Sequence, residues 1–97
     1  MDVIFTPRAE RQIDDLHRYI AERSGFESRA DGYIQRIVDF CLGLPVAPLR
    51  GAARDDILPG LRTVGFERRV TVAFMVLSDR ILIEGIFYGG RQVEGEF

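Results

Sequence analysis

The residues able to do chemistry in this chain are mostly arginines. All thirteen of its cationic side chains are arginine, and lysine is absent. A lysine general base, a Schiff-base lysine and a lysine point charge on a phosphate are therefore excluded. Arginine instead offers a planar fork of donors that stays charged and suits phosphate or carboxylate. Arg50, Arg62, Arg68, Arg69 and Arg91 fall at the beginnings and ends of predicted strands, with Tyr88 close to the last of them. Groups that move protons are scarce by comparison. The one histidine, His17, stands among Asp14, Asp15 and Arg18, which reads as a solvated helix surface. The one cysteine, Cys41, lies on an apolar stripe and has only His17 as a conceivable base. Neighbouring carboxylates on a helix point about 100° apart, so Asp14–Asp15 makes a poor dyad. Asp55–Asp56 lies in a loop and reads as solvated or turn-forming. Gly89–Gly90 follows a strand but no helix follows it, so no dinucleotide fingerprint forms. One histidine and one cysteine offer no zinc site, and no cofactor is expected.

The elements that must position these residues follow from hydrophobic spacing. Ala9, Ile13, Leu16 and Ile20 make one helical stripe after a Thr6 N-cap and Pro7, ending near Gly25. A second helix is expected from about Ser28, with Asp31 in a capping-box-like place and a stripe of Ala30, Ile34, Ile37, Cys41 and Leu44. The two should form an antiparallel hairpin. Val3–Phe5 reads as a short strand. Leu61–Glu67, Val70–Leu77 and Ile81–Tyr88 read as strands joined by short turns, hence an antiparallel meander. The expected fold is α+β: a short N-terminal strand and a helical hairpin packed on a three- to four-stranded antiparallel sheet, in one domain spanning residues 1–97.

This arrangement raises a question of cover. On the middle strand, Val70, Val72, Phe74 and Val76 face one side, while Thr71, Ala73, Met75 and Leu77 face the other. The hairpin can cover only one side. An apolar second side implies a partner unless loop 45–60 or the segment after Arg91 reaches it. Composition sets the remaining bounds. With 46% apolar residues the chain should be globular. No apolar run is long enough to span a membrane. The N-terminus lacks the pattern of a signal peptide, and one cysteine offers no internal disulfide, so a reducing cytoplasmic setting is expected. A net charge of −2 argues against direct DNA binding by this chain.

The order of the short motifs adds a likeness. Thr6-Pro7, Asp15-Leu16 and Tyr19-Ile20-Ala21-Glu22-Arg23 precede a second helix. Pro48-Leu49-Arg50-Gly51, Gly60-Leu61-Arg62, an apolar strand, Asp79-Arg80-Ile81-Leu82-Ile83 and Tyr88-Gly89-Gly90-Arg91 follow. Across residues 3–92 this order resembles the ParE/RelE superfamily of toxins from type II toxin–antitoxin pairs, and most of all its ParE branch. The resemblance implies a matching fold and a ParD-like antitoxin, with a ribbon-helix-helix DNA-binding half and a second half that wraps the toxin. Operator DNA would then be reached only through the antitoxin, in a hetero-oligomer. ParE-like members poison DNA gyrase and stabilise plasmids; RelE-like members cut messenger RNA on the ribosome. Arg62 and Arg91 match the two arginine positions of the ribonucleases, but their lysines are missing. Phe97 stands where their C-terminal tyrosine would fall, and it has no ionisable hydroxyl. Cleavage by 2′-OH attack needs groups to take and return a proton. The expectation is therefore a gyrase-binding toxin with no catalytic residues; the alternative is a ribosome-dependent endoribonuclease. A third reading is a non-toxic member kept for antitoxin binding. Candidate contact residues for target or antitoxin are Phe5, Arg50, Arg62, Met75, Tyr88 and Arg91.

Overall fold

The computed structural model describes residues 1–90 and 93–97. Strand β1 (Asp2–Phe5) leads into helices α1 (Pro7–Ser24) and α2 (Glu27–Leu42), and a 3₁₀ turn spans Leu44–Val46. Strands β2 (Ala52–Ala53), β3 (Leu61–Phe66), β4 (Val70–Val76) and β5 (Arg80–Tyr88) follow, then a second 3₁₀ turn at Val93–Glu96. The fold is α+β, as expected, and the sheet has five strands in the order β1-β5-β4-β3-β2. Strand β1 runs parallel to β5, and the other pairs are antiparallel. The fifth strand is only the two alanines of β2, too short to leave a periodic signal.

Helix α1 begins as its sequence demands. The Thr6 hydroxyl accepts the backbone N–H of Ala9 at 3.2 Å, and Pro7 occupies the first helical turn. Gly25 ends it in the left-handed region, φ 78°. The start of α2 differs from expectation. Its N-cap is Phe26, without a side-chain cap bond, so Ser28 and Asp31 form no capping box. Asp31 instead bonds His17 Nε2 at 2.7 Å, tying α2 to α1.

The core divides at the sheet. On the helical side, Ala9, Leu16, Ile37, Cys41 and Leu44 pack on Val70, Val72, Phe74, Ile81, Ile83 and Ile86. On the other side, Leu61, Ala73 and Phe87 lie beneath Ile57, Leu58, Val93 and Phe97, with Met75 beside them. This corrects the expectation of a bare second face. Loop 54–60 and the C-terminal turn seal it, and Ala73 and Leu61 are fully buried. The cover is pinned at its rim: Arg54 bonds Asp56 at 3.0 Å and Glu94 at 2.9 Å. Arg8 stacks over the Phe97 ring at 4.5 Å.

Candidate functional site

Strand β5 carries a bulge. Ala73 pairs with Gly85, yet the next residue, Phe74, pairs with Ile83, so Glu84 is the extra residue. One inserted residue reverses the alternation of side chains. Ile81 and Ile83 face the helices, and after the bulge Ile86 and Tyr88 face them too, while Phe87 turns to the second face. Without the bulge Tyr88 would point away from the hairpin. Helix α1 fills the local gap: Gln12 Oε1 accepts the Ile86 backbone N–H at 2.7 Å.

Tyr88 therefore meets the two other tyrosines of the chain. Its ring centroid lies 5.8 Å from that of Tyr19 on α1 and 6.2 Å, edge-on, from that of Tyr33 on α2. Both separations suit aromatic pairs. Arg36 stacks on Tyr33 at 5.2 Å and grips Glu67 with two bonds, at 2.8 and 3.2 Å. That bidentate contact holds the Glu67 carboxyl below its ordinary pKa. Burial, then Tyr88 and Glu67, push the Tyr33 hydroxyl above its ordinary pKa, so it stays protonated at neutral pH.

The β3–β4 turn closes the end of this cluster. Glu67 and Arg68 both have positive φ, 48° and 65°, an unfavourable conformation for side chains longer than glycine. The turn brings the exposed Arg69 beside Tyr88. Two clefts, of about 370 and 550 Å³, meet here and share Arg69 and Tyr88 in their walls. The first runs along α1 past Gln12, Asp15 and Tyr19; the second crosses α2 past Arg29, Tyr33 and Arg36.

The other sequence-derived candidates are scattered. Arg62 lies across the sheet, where its guanidinium donates to the carbonyls of Leu49, Arg50 (3.3 Å) and Gly51 (3.4 Å). It fastens the loop before β2. Gly51 needs its φ of 78° there, and a Cβ would come within 2.2 Å of the Thr63 carbonyl. Arg50 donates to the Ala47 carbonyl at 3.1 Å and stacks on Phe40 at 5.7 Å. Phe5 packs half-buried against the helical core, and Met75 packs into the second face. Arg91 lies outside the described residues.

The tyrosine cluster was only one-third visible in the sequence. Tyr88 stands out beside a pair of glycines, but Tyr19 enters only within the Tyr19-Ile20-Ala21-Glu22-Arg23 motif and Tyr33 is not singled out at all. A usable signal existed: Glu84-Gly85 interrupts an apolar strand, a common mark of a bulge. Three of the titratable groups singled out in the sequence have structural surroundings. Burial pushes the Cys41 thiol up to about 12, so it is inert at neutral pH. Asp55 accepts the Gly60 N–H at 2.8 Å as a turn former, and Asp56 is held by Arg54. Among the described residues no group of histidines, cysteines and carboxylates could hold a metal ion, and no helix is long and apolar enough to cross a membrane.

The comparisons with known proteins give one answer. A family model described as ParE toxin of type II toxin–antitoxin system, parDE, matches residues 3–93. The chain is similar to a solved structure titled a chromosomal ParDE TA system from P. aeruginosa, with a TM-score of 0.78 and 27% identity. The match covers 92% of this chain and 96% of that one. No curated protein matches the sequence.

Proposed function

As the chain belongs to the ParE toxin family of type II toxin–antitoxin systems, we propose that it acts in the cytoplasm as one toxin domain, by binding DNA gyrase rather than by catalysis. A ParD-like ribbon-helix-helix antitoxin neutralises it and carries any operator DNA. The observation that carries this reading is Arg62. Its Nε and one terminal nitrogen are engaged by three carbonyls of its own chain, so the side of the fork that would close on a phosphate in two parallel bonds is already committed to the 49–51 loop. A cationic clamp held this way stabilises structure, not a developing phosphorane.

The surface supports a protein partner. Val46, Leu49 and Leu42 are 88%, 71% and 53% exposed where α2 ends, next to the two-residue edge strand β2. Exposed apolar groups beside an open strand edge suit an antitoxin segment that orders as it binds. A supercoiling assay with purified gyrase tests the target. Inhibition that grows with toxin and is reversed by antitoxin is expected. Folded toxin that leaves gyrase untouched, while transcripts are cut in a translating extract and spared by Arg62→Ala, would replace this reading with the ribonuclease one.

A further inference from the structure

We propose that the twin cleft around Tyr88 and Arg69 is the surface with which the toxin grips its target, and that it takes an acidic patch of a folded protein carrying an apolar anchor side chain. This rests on the toxin reading above, but not on the identity of the target.

Charge gives the chemistry of the occupant. The cleft walls hold Arg29, Arg36 and Arg69 against Asp15 and Glu67. Glu67 is neutralised by Arg36, and Asp15 lies 3.4 Å from Arg18. Arg69 and Arg29 make no ion pair with a described carboxylate. On a chain of net charge −2, this is a local surplus of positive charge, and it selects carboxylates. Tyrosine and arginine are also the residue types that dominate binding hot spots, because they offer large rigid area with a polar tip. All three tyrosines of the chain gather here.

Shape separates this cleft from the antitoxin surface. The cleft is preformed by a bulge, a bidentate ion pair and two helices, so little is lost in ordering it. A preformed concave site with a polar rim fits a surface that is already folded. A segment that folds on binding needs broad apolar contact, which the exposed Leu42, Val46 and Leu49 supply at the far end of α2.

Tyr19→Ala and Arg69→Glu test this, both at exposed positions outside the core. Growth arrest by the induced toxin and antitoxin affinity by calorimetry are read together. The expected result is loss of growth arrest by at least tenfold in inducer dose, with antitoxin affinity within threefold of the parent and circular dichroism unchanged. Arg69→Lys, which keeps the charge, should restore part of the arrest. Arrest retained in both variants would overturn the proposal. So would antitoxin affinity falling with the arrest, which would make the cleft the antitoxin's site. A parent chain that arrests nothing would overturn it as well, since no target contact would then exist. Arrest without gyrase inhibition would instead refute the gyrase reading and leave the cleft standing.

Discussion

The two faces of the sheet are sealed by different means. The helical face is a regular ridge of residues from α1 and α2 over Val72, Phe74, Ile81 and Ile83, all fully buried. The second face is covered by irregular chain, Ile57 and Leu58 from one loop and Val93 and Phe97 from the C-terminal turn, held at the rim by Arg54 and Arg8. Regular helices supply continuous apolar contact. Loops supply a few anchors and need polar pins. A small sheet can thus be closed on both sides by its own chain, which frees the burial argument from requiring a partner on the second face. The places that remain open are the end of α2, with its exposed Leu42, Val46 and Leu49, and the tyrosine cleft.

The largest expected effect comes from the two central phenylalanines. Phe74→Ala should cost about 3–5 kcal/mol, because the facing helices cannot collapse into the space. Phe87→Ala should cost less, near the lower end of that range at about 3 kcal/mol, because loop 54–60 and the C-terminal turn can settle inward. Urea unfolding of both variants checks this; equal losses would erase the distinction between the faces. Next, Arg62→Ala leaves three loop carbonyls without their charged donor and should cost roughly 1.5–3 kcal/mol. Hydrogen exchange should show the change confined to residues near Ala47–Ala53, with the second face unaffected.

Legibility in the sequence followed the same division. Helix α1 was readable at both ends, because Thr6, Pro7 and Gly25 each have one local job. The alternation on β4 was also readable and correctly separated Phe74 from Ala73 and Met75. The second face's cover was legible only as an alternative: loop 45–60 and the segment after Arg91 could be named, but Ile57, Leu58, Val93 and Phe97 lie in segments without a period and act only through distant contacts. The same holds for the site. Tyr88 was legible as a strand-end residue, but its facing depends on the Glu84 bulge, and its neighbours Tyr19 and Tyr33 come from helices many residues away. Arg62 and Arg50 looked like free anion grips because their carbonyl partners carry no side-chain signature in sequence.

A smaller effect belongs to the turn that delivers Arg69. Arg68→Gly relieves a left-handed residue and should gain up to about 1 kcal/mol, seen as a modest rise in Tm. A loss would mean that the Arg68 side chain itself holds the turn. The smallest effect is electrostatic. The Arg54 bonds hold Asp56 and Glu94 below their ordinary carboxylate pKa values, so the folded state binds fewer protons than the unfolded one in acid. Their stabilisation is complete above the unfolded values near about 4 and disappears as pH falls through the lower folded ones. The C-terminal turn should therefore lose hydrogen-exchange protection in acid before the helical core does, and added salt should blunt the effect. Simultaneous loss on both sides would show that the pins do not matter.

Titration of purified gyrase with the toxin, with supercoiling and added RNA followed in the same tube, tests the central claim most directly. The account predicts inhibition that levels off as toxin reaches the amount of gyrase, with the RNA intact. Turnover of RNA by substoichiometric toxin, with supercoiling unimpaired, would contradict it.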